Sequence, residues 1–181
     1  MLKRYFSYSS RIGILIASFI AMLLTGYLFV SQPIGADLID VLPRYGLNDV
    51  SALMEQYGAE GRQRYLMASA LWDTLFVVSY VTLFAGLIYR YCPLPKLKVL
   101  AYLPLVAGLL DLSENGQLMA MLQQYPDLTA VQVEVASLFT QLKHLLTRIY
   151  TAIALVFVVL GVFRFARRRS NLKAEEPPPG G

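Results

Sequence analysis

The chain has 181 residues, 56% of them hydrophobic and only 15% charged, with a mean hydropathy of +0.51. That balance sets it apart from soluble domains and places it in the membrane class. The formal net charge is +4, and the arrangement of that charge points to membrane topology and anionic lipid, with no nucleic-acid role.

Lys3, Arg4 and Arg11 precede the first apolar run, about residues 12–30. A helix needs roughly 20 apolar residues to cross a bilayer core, and this run suffices. It exceeds the roughly 7–15 residues of a signal-peptide core, so it is read as an uncleaved span. Ala17, Ala21 and Thr25 form a small-residue stripe suited to helix packing.

Residues 31–64 form the largest polar segment, broken by Pro33, Gly35, Pro43 and Gly46. Asn48 is a candidate N-cap, with Asp49 in the first turn and Gly58 as a stop. Between them Val50, Leu53, Met54 and Tyr57 share one helical face. A short amphipathic helix is therefore expected, lying over one end of a bundle because it is unstable alone.

The second span covers about residues 65–88 and carries Asp73. Tyr65, Ser69, Asp73, Phe76 and Tyr80 align on one face that should point into protein. Trp72 and Tyr65 suit the outer interface, and Glu60, Arg62, Tyr65 and Tyr80 are read as a rim around a polar interior. The turn from Arg90 to Lys96 should join spans two and three as an antiparallel pair. Its Cys92 is the only cysteine, which excludes an intramolecular disulfide.

The third span, about 99–122, holds Asp111, Glu114 and Asn115 on one face, and Pro104 should kink it. The fourth, about 136–162, starts near Thr129 and carries Lys143, His144 and Arg148. Residues 170–181 form a Pro-rich tail expected to be a disordered cytoplasmic extension of a single domain, residues 1–169.

Eleven of the sixteen Lys and Arg residues fall on one side of the four spans: Lys3, Arg4, Arg11, Arg90, Lys96, Lys98, Arg164, Arg167, Arg168, Arg169 and Lys173. Both termini are then cytoplasmic, in a plasma (inner) membrane. At about 1.5 Å per residue, Asp73, Asp111, Glu114 and Arg148 lie roughly 20–25 Å above that side and His144 roughly 30 Å. The helices thus deliver one charged layer to the outer leaflet. A charge inside a bilayer costs at least about 2.5–3.5 kcal/mol, so such residues need partners. Asp73, Asp111 and Glu114 outnumber Lys143 and Arg148, and a proton, a cation or His144 would complete the balance.

Three roles for this layer stay open. It can be interhelical glue. It can be a pocket for a lipid head group or a small polar solute. It can be catalytic, with Asp73 and Glu114 as the acid–base groups of a membrane-embedded hydrolase. One histidine and one cysteine give no metal-site pattern, and no phosphate loop, G-x-S-x-G or H-E-x-x-H occurs. No cofactor is expected.

The pieces Tyr57-Gly58-Ala59-Glu60-Gly61-Arg62, Tyr65, Asp73, Asp111-Leu112-Ser113-Glu114-Asn115, Tyr125-Pro126 and Phe139-Thr140-x-x-Lys143 together form a recurring arrangement. It resembles a family of small four-helix integral membrane proteins of uncharacterised function. The resemblance spans about residues 48–148 and implies a four-span architecture without an activity. It also implies that Lys143 is the principal basic partner, since Arg148 falls outside the matching pieces. The sequence therefore predicts an all-α four-transmembrane-helix bundle, with membrane lipid as its partner and a small polar ligand as a candidate occupant.

Overall fold

Residues 2–174 are described by the computed structural model, and among them every regular element is helical. The first, α1 (Leu2–Ser9), goes beyond the sequence expectation, which used Lys3 and Arg4 only as topology signals. Eight residues cannot hold a helix alone. Phe6 anchors it by stacking on Tyr89 and meeting Tyr102 edge-on, at centroid distances of 5.5 and 4.8 Å.

α2 (Ile12–Val30) matches the first apolar run. Its inward seam is Leu15, Thr25 and Phe29. Of the small-residue stripe, Thr25 lies in this seam, Ala21 is half-buried and Ala17 is exposed. Ile16, Phe19, Ile20, Leu23 and Leu24 point outward and are more than 45% exposed.

The connector after α2 folds into the bundle end, burying Ile34, Ile39, Asp40 and Tyr45. It then enters α3 (Leu47–Ala68), whose N-cap is Gly46 and not Asn48. The Asp49 carboxylate reaches back and accepts the Gly46 N–H at 2.9 Å, the N3-to-N-cap half of a capping box. Val50, Met54 and Tyr57 form the buried face of this amphipathic stretch. Gly58 adopts φ +62° and turns the chain, but the helix resumes at once. Three residues on, Gly61 lets the connector pass: an added Cβ would lie 2.2 Å from the Ile34 carbonyl oxygen.

A π-turn at Ser69–Asp73 joins α3 to α4 (Thr74–Tyr91). A 3₁₀ segment, Pro95–Tyr102, then leads into α5 (Leu103–Gln124). Pro104 therefore starts α5 instead of kinking a longer helix. In a first turn its missing N–H has no intrahelical bond to break. α6 (Ala130–Ala174) begins where Thr129 Oγ1 accepts the Gln132 N–H at 3.2 Å. It runs to Ala174, so residues 170–174 of the expected tail are helical, and residues 175–181 lie outside the described residues.

α4 is the hub: α2, α5 and α6 all pack on it, and α5 packs on α6. Apolar packing forms two clusters. One, at the connector end, includes Ile39, Val50, Met54, Tyr65, Leu118, Met121 and Val133. The other includes Phe6, Val77, Ile88, Ala107, Tyr150 and Phe157. The polar residues fall between them in chain position on every long helix. Three helical runs are long and apolar enough to cross a membrane: Ile12–Val30, the joined Leu47–Tyr91, and Ala130–Arg167. α5, with Asp111 and Glu114 at its middle, is outside that set.

The close approach at Gly61 makes Gly61→Ala costly, since backbone must shift to admit the methyl group. A loss of about 1–3 kcal/mol is expected. Gly116→Ala, in open space on α5, should be neutral or stabilising by about 0.4–1 kcal/mol. Thermal unfolding of the two variants in detergent checks the contrast.

Candidate functional site

Helical spacing sets the site. On α6 the buried positions Val133, Ala136, Ser137, Thr140, Lys143, Tyr150 and Ala154 trace one face, polar through its middle. On α5 the facing residues are Asp111, Glu114 and Asn115, all buried. The Lys143 ammonium sits between the two acids, 3.0 Å from Asp111 Oδ1 and 2.5 Å from Glu114 Oε2. Charge-assisted bonds of this kind are strong, and a buried ammonium needs them.

The remaining carboxylate oxygens extend the network in two directions. Tyr80 on α4 donates to Asp111 Oδ2 at 2.9 Å. Thr140 donates to Glu114 Oε1 at 2.5 Å. Thr140 has only one hydroxyl proton, so Tyr45 must donate in the 3.0 Å contact between their oxygens. The Tyr45 backbone N–H donates in turn to Ser137 Oγ at 3.1 Å. The connector is thereby tied to α6 through side chains. Burial raises the Tyr45 phenol above its usual range, which keeps it a donor.

Asp40, in a one-turn 3₁₀ helix at Ile39–Val41, is the member that sequence reasoning missed. It accepts from the Tyr65 hydroxyl at 2.5 Å, and its own N–H points at that hydroxyl at 3.3 Å. Burial holds its carboxyl above the ordinary carboxylate range, against the opposing pull of Lys143. The available signal was Ile39-Asp40-Val41 itself, an acid between β-branched residues in a loop. Only the inward fold of the connector gives it meaning.

Several predicted site residues sit elsewhere than expected. Tyr65 is not at a rim, because it is fully buried and spends its hydroxyl on Asp40. Tyr80 belongs to the interior network through Asp111. Glu60 is exposed and pairs with Arg64 one turn along α3. Arg62 donates to the Met54 carbonyl at 2.8 Å and lies 4.8 Å over the Tyr125 ring. Neither borders the layer. His144 is half-buried, whereas Arg148 is exposed and has no acidic partner among the described residues.

The layer opens sideways into a cleft of about 410 Å³ between α2 and α6. Met22, Gly26, Phe29, Phe76, Phe84 and Tyr150 give it apolar and aromatic walls. Asp40, Asp73, Asp111, Lys143 and His144 border it. Glu114 and Asn115 do not. Asp73 is 5% exposed, and its Oδ2 has no hydrogen-bond partner, nor do Ser69 Oγ or either amide atom of Asn115. Buried polar atoms are rarely left so. Asp73 also closes the π-turn, a local departure that recurs at functional sites. The arrangement can receive a polar or charged group against carboxylates while its walls shelter apolar atoms.

Comparison of the chain with protein families, curated proteins and solved structures returned no match.

Removing the ammonium strands two buried acids. Lys143→Met should destabilise the protein by about 3–5 kcal/mol. Adding Asp111→Asn and Glu114→Gln to that variant should recover part of the loss. Unfolding midpoints of the single and triple variants in matched detergent measure both effects.

Proposed function

We propose that the chain is a four-helix transmembrane bundle whose side cleft binds or moves a membrane-lipid head group or a small polar solute, without chemical conversion. The spans are α2, about residues 65–88 of the joined α3–α4, about residues 99–122 including most of α5, and about residues 136–162 of α6. Both termini face the cytoplasm of a plasma (inner) membrane, and the amphipathic start of α3 caps the outer end. Three sufficiently apolar helical runs and the clustering of basic residues on one side support this topology. α5 completes it: its acids are covered by α4 and α6, so a helix too polar to cross alone can cross in company. The resemblance to small four-helix membrane proteins fits the same architecture.

The observation that carries the reading is Asp73, a buried carboxylate that borders an apolar cleft and has one oxygen without a hydrogen-bond partner. Glue alone accounts for Lys143 with Asp111 and Glu114. It leaves Asp73, which lies against the Asn115 amide, with a carboxylate oxygen that makes no well-formed hydrogen bond. Hydrolysis by Asp73 and Glu114 is disfavoured by position: both Glu114 oxygens are engaged, and the residue does not border the cleft.

Native mass spectrometry of the protein from membrane nanodiscs tests the cleft. Wild type should retain a bound lipid or solute that is lost in Thr151→Trp, which narrows the mouth from an exposed position on α6. Identical spectra for the two proteins would contradict the reading. Topology is tested through Cys92, the single cysteine, which lies at the turn after α4. An impermeant maleimide should label it in inverted vesicles and leave it unlabelled in intact cells.

A further inference from the structure

The buried carboxyl groups in and behind the cleft outnumber the buried bases that could neutralise them. Asp40, Asp73, Asp111 and Glu114 are buried, and Lys143 is the one buried base among the described residues. Lys143 is already committed to Asp111 and Glu114. Asp40 has neutral donors, the Tyr65 hydroxyl and its own backbone N–H, and Asp73 has an oxygen with no hydrogen-bond partner and only the neutral Asn115 amide beside it. Both border the cleft. An anionic head group placed there would face Asp40, Asp73 and Asp111 together. A neutral one would satisfy hydrogen bonds and leave the charge. A cation would satisfy both.

The walls narrow the class further. Phe76, Tyr80, Phe84 and Tyr150 line the cleft beyond the acids, and Tyr80 and Tyr150 stack with centroids 6.2 Å apart. Aromatic faces favour an organic ammonium. They offer nothing to a hard metal ion, which takes oxygen ligands, and no group of three or more potential metal-binding side chains occurs among the described residues. The cleft opens between two helices with broad apolar outer surfaces, the route an alkyl chain would take.

We propose that the cleft selects an ammonium group carried on an apolar chain, with Asp73 as its principal counter-ion and Asp40 as the second. This rests on the cleft being a binding site at all. The cation enters with its charged end between α2 and α6, the Asp73 carboxylate accepts from the ammonium, and the chain lies along Met22, Phe76 and Phe84. Lys143 stays with Asp111 and Glu114 and keeps the incoming charge on the Asp40–Asp73 side.

Three probes that share one chain separate the possibilities: oleylamine, oleyl alcohol and oleic acid, each titrated into the full-length protein in neutral-lipid nanodiscs at pH 7. Binding is read by native mass spectrometry. Oleylamine should bind at least about tenfold more tightly than the other two, a difference equal to about 1.4 kcal/mol. Asp73→Asn should reduce it to the level of the alcohol, and Thr151→Trp should abolish all three. The head-group ranking in wild type needs no variant, so it stands even where Asp73→Asn folds poorly, and Asp40→Asn then serves as the second probe of charge.

If all three bind equally and Thr151→Trp removes them, the cleft stands and its cation selectivity falls. If none binds, both readings fall. Displacement of oleylamine by phosphatidylethanolamine assigns the natural source to a lipid. Displacement by butylamine and not by that lipid assigns it to a free amine.

Discussion

Everything about this fold turns on keeping one ammonium and its acids out of contact with apolar surroundings. Lys143 meets Asp111 and Glu114 across the α5–α6 contact, and that pairing fixes both the rotation and the relative height of the two helices. A shift of one residue on either helix would swing a charge through about 100° of rotation, towards an apolar face. The cost of a buried unpaired charge is several kcal/mol, which is comparable to the whole stability of a domain. Apolar clusters on either side can then pack in only one register.

The network divides into a closed and an open part. On the closed side Glu114, Thr140, Tyr45 and Ser137 form a chain of satisfied bonds that draws the connector down onto α6. On the open side Asp40 and Asp73 border the cleft with fewer partners than an ionised carboxylate requires. This asymmetry separates what holds the bundle together from what is available to a ligand. It also explains why structural and functional readings of the same cluster need not compete. The acids that anchor Lys143 and the acids proposed to meet an ammonium are different residues, apart from the edge that Asp111 shares.

Much of this arrangement was legible in the sequence. Period 3.6 put Asp111 with Glu114 and Asn115, and Val50 with Leu53, Met54 and Tyr57, and the structure buries all of them except Leu53, which is half-buried. Counting rise per residue assigned Asp73, Asp111 and Glu114 to one height, and Asp73 and Asp111 border one cleft. What the sequence did not disclose depends on non-local contacts. Asp40 reads as a loop residue until the connector turns inward past Gly61. Tyr65 has the chemistry of an interface residue, but its hydroxyl finds an acid inside the protein. Composition and depth do not separate Arg148 from Lys143, and only the resemblance ranked Lys143 first. The rotation of α6 supplies the physical reason, burying Lys143 and exposing Arg148. Helix boundaries near Pro104 failed for a simpler reason, because a proline can start a helix as well as bend one.

The central claim is that Lys143 and Glu114 form one energetic unit across α5 and α6. A double-mutant cycle with Lys143→Met and Glu114→Gln, read from unfolding free energies in one detergent, measures it directly. The account predicts a double variant less damaged than the two single losses combined, with a coupling of about 1–3 kcal/mol, in the range found for contacting groups. Additive losses, with coupling under about 0.5 kcal/mol, would contradict it.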